Sequence, residues 1–142
     1  MTTETTADTL YSKFGTSKDA ESGAGVDLDY GKMGKFRIHR AGGSNARYKN
    51  FAQAKMKPYN RQIQAGTMDD DVATALMIEI FAKTVIKGWE GVKDRDGKDL
   101  PFSVDNAIKL FTDLPDLFSD IRAAALDHQT FMAEEKEAAV KN

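Results

Sequence analysis

The chain has 142 residues, which is enough for one domain with a buried hydrophobic core. Its hydrophobic content of 41% and charged content of 30% indicate a soluble globular protein and exclude a wholly disordered one. The net charge of −2 gives no overall positive field to hold nucleic acid, and the absence of cysteine excludes disulfide scaffolds, thiolate metal sites and cysteine catalysis.

The beginning of the chain predicts neither export nor a fixed structure. The N-terminal segment lacks the basic start and apolar stretch of a signal peptide, and no run of the sequence is long enough to cross a membrane. Residues 1–25 are rich in Thr, Ser, Asp, Glu and Gly, a composition typical of a flexible arm. We therefore expect a protein that stays in the cell that makes it, with residues 1–25 as a flexible N-terminal arm.

Residues 26–44 are predicted to form a β-hairpin extension. Apolar and charged residues alternate over residues 26–30 and again over residues 35–39, on either side of a glycine-bounded turn. A lone two-stranded hairpin is only marginally stable, so this one must pack on helices, join another hairpin or pair with another chain.

A helix is predicted from residue 45 to about Lys57, where Pro58 forces a kink or a stop before a second short helix that Gly66 closes. One face of the first helix is basic, with aromatic residues between the charges, and such a face is able to contact nucleic acid. The negative net charge of the chain favours instead a solvated face or a surface for an acidic partner segment.

The longest predicted helix spans residues 67–89. Thr67 is the predicted cap, the aspartates at 69–71 suit the positive end of the helix dipole, and Gly88 marks the end. Apolar residues occupy most of three of its four strips of i, i+4 spacing, so the helix needs neighbours on more than one side. It is either a central core helix or one that also faces another subunit or a client.

The elements after this helix are short. Residues 89–92 and 99–102 predict a second hairpin around the turn dipeptide Asp96-Gly97. Ser103 is a predicted N-cap for a helix over residues 104–112.

A last helix is predicted from about Pro115 towards Glu137, and residues 134–142 are expected to fray as a charged tail. The predicted fold class is therefore mainly α, with about five helices and one or two small β-hairpins. Residues 45–133 form its helical domain.

The sequence contains no arrangement typical of catalysis or of metal binding. Its histidines, His39 and His128, lie on separate predicted elements without a third ligand or a nucleophile motif. The aspartates at 94, 96 and 99 lack the bidentate acid that would complete a calcium loop. We therefore predict no catalytic residue, no metal site and no cofactor.

The run from Gly88 to Ile121 reads GWEGVKDRDGKDLPFSVDNAIKLFTDLPDLFSDI. It combines an apolar helix ending in Gly-Trp, a short Asp/Gly hairpin, Leu-Pro-Phe-Ser before a helix, and a Leu-Pro-Asp-Leu-Phe helix start. This order of motifs resembles the tail assembly chaperones of long-tailed, siphophage-type bacteriophages, and the resemblance covers residues 45–131.

The resemblance implies a binding protein and not an enzyme. Such chaperones bind the tape measure protein, keep it soluble and help to recruit major tail tube subunits during tail assembly. They are absent from the mature virion, so this chain is expected to act in the host cell cytoplasm. Its net charge and the lack of a membrane-spanning run predict that it binds neither nucleic acid nor membranes. The alternative is a structural virion protein, such as a tail or head–tail connector subunit.

A homo-oligomer is expected because so apolar a helix in so short a chain is easily shared between subunits. Helical periodicity alone supplies the candidate partner-binding residues, which lie on the long helix and on the stripe of the last helix. They are Leu76, Ile80, Phe81, Trp89, Leu117, Phe118 and Ile121.

Overall fold

The computed structural model describes residues 9–133 of the chain. Over these residues the fold is mainly α-helical with one small antiparallel sheet, which confirms the predicted fold class. The helices of the described part are α1 (Leu10–Phe14), α2 (Lys18–Ser22), α3 (Ala46–Met56), α4 (Asn60–Ala65), α5 (Asp70–Thr84), α6 (Val104–Asp113) and α7 (Pro115–Leu126). Turns of 3-10 helix occupy Gly31–Met33, Lys57–Tyr59 and His128–Phe131.

The sheet has three strands, β1 (Val26–Asp29), β2 (Lys35–Ile38) and β3 (Ile86–Glu90), in the spatial order β1-β2-β3. Both strand pairs are antiparallel, and β1 with β2 forms the first predicted hairpin. This hairpin packs as part of the core and does not stand apart as an extension, because central strand β2 buries Phe36 and Ile38.

Helix α5 ends at Thr84, five residues before the predicted end at residue 89. The β-branched residues Val85 and Ile86 favour an extended backbone, and β3 pairs with β2 along a ladder with one register shift between Arg37 and Ile38. The Val85 carbonyl accepts a hydrogen bond from the His39 backbone N–H at 2.7 Å. At the other end the cap is Asp69, and not the predicted Thr67, because the Asp69 carboxylate accepts two backbone N–H bonds of the first turn.

The second predicted hairpin is reduced to one β-bridge between Lys93 and Asp99. The side chain of Asp94 organises this turn, since its carboxylate accepts the backbone N–H groups of Asp96 and Lys98 at 2.9 Å each. The predicted first strand of that hairpin is split, because Trp89 and Glu90 belong to β3 and pair with β2 instead.

Residues 9–25 form α1, α2 and their connections, where the sequence predicts a flexible arm; residues 1–8 lie outside the described part. Thr9 and Ser17 cap the two short helices. The backbone of the segment bonds to the far end of the chain, where Ser17 N–H donates to the Phe131 carbonyl at 2.9 Å. Long-range contacts of this kind give the segment a fixed structure. Amino-acid composition cannot reveal them, so the prediction of a flexible arm was wrong for residues 9–25.

Helix α7 ends at Leu126 and does not continue towards Glu137. Asp127 has an extended backbone, and its carboxylate caps the next 3-10 turn by accepting the Gln129 N–H at 2.9 Å. The predicted frayed tail, residues 134–142, lies outside the described residues.

The core forms where the second half of α5 meets α3, α6, α7 and the sheet. A chain of aromatic rings crosses it, with neighbouring ring centroids between 5.4 and 6.3 Å apart, typical of attractive edge and tilted contacts. In order, the rings are those of Tyr48, Phe81, Phe118, Phe111, Phe36 and Trp89.

Candidate partner-binding surfaces

Four of the seven predicted partner-binding residues lie inside the core. Their side chains are almost completely shielded from solvent, so in this conformation they stabilise the fold and offer no surface to a partner. They are Ile80, Phe81, Phe118 and Ile121.

The other three predicted residues are half-buried. The Trp89 ring stands edge-on to Phe102, and its Nε1–H donates to the Leu100 carbonyl at 2.8 Å. Leu117 packs against the core from the first turn of α7. Leu76 lies on one open groove and Trp89 on another, so a partner reaches both side chains without any change in the fold.

Helix α5 is divided into two halves of different exposure. The second half carries all of the buried side chains of the helix, whereas the first half is exposed or only half-buried although it is also apolar. Val72, for example, keeps 41% of its surface exposed. Within residues 9–133, the predicted need for neighbours on several sides is therefore met fully for the second half and only in part for the first.

A groove of about 440 Å³ runs between the end of α3 and the first half of α5. We call it the α3–α5 groove, and Lys55 crosses it to form an ion pair with Glu79 at 3.1 Å. Its lining residues are Ala54, Lys55, Pro58, Tyr59, Val72, Ala75, Leu76 and Glu79.

Beside this groove, α4 and the loop after it form the outermost part of the described chain. Every residue from Asn60 to Thr67 is exposed, including Ile63 at 44%. Gly66 ends α4 in the left-handed conformation, with φ of 69°, so that the chain turns back into α5. We call α4, residues 66–69 and the first half of α5 the helical tip.

A second opening, of about 380 Å³, lies between the Asp94 turn and α6, and we call it the turn–α6 cleft. Its apolar part consists of Leu100, Leu110 and Leu114, and Leu114 is 47% exposed. Charges of both signs surround these leucines; Lys109, for example, pairs with Asp113 at 3.2 Å. The remaining lining residues are Lys93, Asp94, Arg95, Asp96 and Asn106.

Both histidines have structural contacts. The Nε2 atom of His39 lies 2.8 Å from the Gly23 carbonyl. The ring of His128 packs on Phe14 with centroids 5.2 Å apart, and its Nε2 lies 3.3 Å from the Lys13 carbonyl. Each histidine therefore helps to fasten the N-terminal segment to the body of the protein.

Within residues 9–133, no three His, Asp or Glu side chains come together as a metal-binding group. In the same part of the chain, no helix is long and apolar enough to cross a bilayer.

Comparison with protein families gives one result. The model of a family described as YdaY prophage protein matches residues 43–142, which is more than half of the chain. The chain belongs to the YdaY prophage protein family. It is therefore a phage-derived protein. Comparisons with curated proteins and with solved structures find no significant match.

The YdaY match includes both openings. Helices α3 to α7 and strand β3 lie within it, and so does every residue that lines the α3–α5 groove and the turn–α6 cleft. Strands β1 and β2 lie before it, although β2 is the central strand of the sheet. The candidate surfaces thus belong to the YdaY part, whereas the core also needs residues that precede it.

Of the seven residues predicted from the sequence, Leu76 alone lines one of these two openings. Sequence reasoning selected the middle of α5 because apolar spacing is densest there, and dense spacing marks a core. The available signals were weaker: an apolar Val72 directly after three aspartates, and an apolar Leu114 directly before the helix-starting Pro115.

Proposed function

We propose that this phage-derived protein is a tail assembly chaperone that binds the tape measure protein, keeps it soluble and helps to recruit major tail tube subunits. It acts in the host cytoplasm and is absent from the mature virion. The proposal rests on the resemblance of residues 45–131 to that class of chaperone, and membership of a prophage family supports it.

One observation carries the proposal further. Three of the four motifs that carry the resemblance fold together around the turn–α6 cleft. The Leu-Pro-Phe-Ser motif supplies Leu100, the Asp/Gly turn supplies one wall, and the Leu-Pro-Asp motif supplies Leu114. Motifs that stand apart in the sequence thus share one exposed apolar site.

The cleft has the chemistry of a site for an amphipathic helix. A helix docks by placing apolar side chains of one face into an apolar opening, while charges around the opening pair with its polar flanks. The three leucines provide the apolar part, and Arg95 and Lys109 with Asp113 provide charges of both signs. A tape measure protein is a long helical client whose apolar stripes stay exposed until the tube covers them.

The proposed role is binding and not catalysis. The side chains usually active in acid–base chemistry near neutral pH are histidines, and here both are engaged with the N-terminal segment. Among the charges of the cleft, Arg95 and Lys109 both pair with Asp113, which suits a binding surface.

The test is co-expression with the tape measure protein of the same prophage, followed by measurement of client solubility and co-purification. We expect the chain to keep the client soluble and to elute with it. Leu114→Asp should abolish both effects, because it places a charge in the apolar part of the cleft. Leu126→Asp is the matched control, since Leu126 is 49% exposed but lies outside the cleft, and it should behave like the wild type.

Two results would overturn the proposal. The first is a client that stays insoluble and separate from the wild-type chain. The second is mass-spectrometric detection of this chain in many copies in purified virions, which would favour a structural tail or connector subunit. Addition of the tail tube protein to the soluble complex then tests recruitment.

A further inference from the structure

We infer that the helical tip is a docking surface for a second copy of this chain. The tip comprises α4, residues 66–69 and the first half of α5, and it lies away from the turn–α6 cleft in the chain. The inference does not depend on the proposed function, because it concerns a different surface and a different partner.

The first argument is the uncovered half of α5. Val72 is 41% exposed, and Leu76 and Ala75 line the open α3–α5 groove. A helix that is apolar on most sides gains stability only where its sides are covered. Within residues 9–133 this half is covered less completely than the other, which leaves an apolar surface that another molecule could cover.

The second argument is the short α4. It has six residues, all of them exposed, and a helix this short is not stable on its own in water. Ile63 of α4 is an aliphatic side chain like Val72, it also belongs to the tip, and it is 44% exposed. Packing against a partner would bury Ile63 and fix α4 in place.

The third argument identifies the partner. One arm of the tip has basic Arg61, with basic Lys57 in the 3-10 turn that precedes α4, and the other arm has acidic Asp70 and Asp71. None of these four charges forms an ion pair within the described residues. Two copies of this surface are therefore complementary in charge to each other.

If two tips pack together around a two-fold axis, the exposed apolar side chains are buried and the charges of opposite sign are paired. In a two-fold interface each contact occurs twice: if one residue of the first copy contacts a given residue of the second, the same two residues also meet with the copies exchanged. The basic arm of one tip would lie on the acidic arm of the other, and the reverse contact would form on the opposite side of the axis. The apolar Ile63, Val72 and Leu76 would lie between these charged contacts, shielded from water.

The experiment measures the mass of the full chain by sedimentation across a range of concentrations. The wild type should dimerise. Val72→Asp should weaken dimerisation by about 100-fold, because it would bury an unpaired charge. Val72 is exposed in the single chain, so the variant should keep the helical circular dichroism and the melting temperature of an undimerised protein.

Charge reversal tests the pairing directly. Arg61→Glu alone and Asp70→Lys alone should each weaken the dimer by about tenfold. The double variant R61E/D70K should restore it, because reversed charges again face each other across the axis. Lys98→Glu reverses an exposed charge outside the tip and should change nothing.

A wild type that stays monomeric at every concentration would overturn the inference. So would a dimer that Val72→Asp and the single reversals leave intact. Loss of client binding in Val72→Asp together with a monomeric wild type would assign the tip to the client instead. The Leu114→Asp variant should still dimerise, so failure of the proposed function is distinguishable from failure of this inference.

Discussion

At the scale of single residues, the buried carboxylate of Glu21 matters most for stability, although the polar composition around it does not predict its burial. Glu21 is 3% exposed and lies in a segment rich in Ser, Asp and Gly. Its carboxylate accepts from Arg40 Nη1 at 2.6 Å and from the Ser44 N–H at 3.0 Å. Burial alone would raise the pKa of Glu21, but the hydrogen bonds from Arg40, Thr16 and Ser44 together hold that pKa below its ordinary value of 4.5.

Replacement of Glu21 by Gln should lower the free energy of unfolding at pH 7 by about 1–3 kcal/mol, because a charge-assisted hydrogen bond is lost and Arg40 keeps its charge without a partner. The folded-state pKa is lowered, so the contribution of Glu21 is complete above its unfolded pKa and is lost as the pH falls through the folded pKa. Urea unfolding of both proteins should therefore show a difference that shrinks below about pH 4.5.

Asp27→Asn is the control for this experiment. Asp27 pairs with Arg37 at 3.0 Å, but both side chains are more than a third exposed. Exposed ion pairs contribute little, so this change should cost less than about 1 kcal/mol. An equal loss from both variants, or a Glu21→Gln difference that grows in acid, would contradict the role assigned to the buried pair.

At the scale of elements, the hairpin of β1 and β2 depends on one glycine. Gly34 has φ of 133° and lies in the tight connection between the strands. A Cβ atom there would lie 2.8 Å from Val92 Cγ2 and so would force the two segments apart.

Gly34→Ala should therefore destabilise the protein by about 1–3 kcal/mol, since backbone strain adds to the clash. Thermal unfolding followed by circular dichroism measures the effect. Gly88→Ala is the matched change on β3: its φ is ordinary and its Cβ would meet no atom within 4 Å. If the melting temperatures of the two variants were equal, the close approach of the hairpin to Val92 would not limit stability.

The boundaries of elements show where sequence reasoning succeeds and where it stops. Local chemistry correctly predicted the N-cap at Ser103 and the helix start at Pro115, because caps and prolines act within one turn. It misplaced the end of α5, because Val85 and Ile86 continue the helical spacing. Their strand structure depends on pairing with β2, which lies almost fifty residues earlier in the chain. A local sequence pattern cannot predict that pairing.

At the scale of the whole molecule, the same limit explains the candidate site. Periodicity identifies apolar residues, but burial depends on which neighbours the fold supplies. Phe81 and Val72 both belong to apolar strips of the same helix, yet Phe81 is fully buried and Val72 is exposed. The fold class was therefore within reach of the sequence, whereas the separation of core from surface needed the packing of α3, α6 and the sheet.

The packing also makes residues before the YdaY match necessary for the fold. Residues 43–142 alone would lack β1, β2 and Glu21. Phe36 of β2 contacts the rings of Trp89 and Phe111, and Ile38 is completely buried, so their removal would expose one face of the core.

We therefore expect a protein of residues 43–142 to lose cooperative thermal unfolding and to bind a hydrophobic dye, as partly folded chains do. Removal of residues 1–8 alone is the control, because it leaves every described strand and helix in place, and it should shift the melting temperature by no more than a few degrees. Addition of a peptide of residues 9–42 to the shortened protein should restore a cooperative transition, since it returns the central strand. A shortened protein that melts cooperatively at the wild-type temperature would show instead that the YdaY part completes its own core.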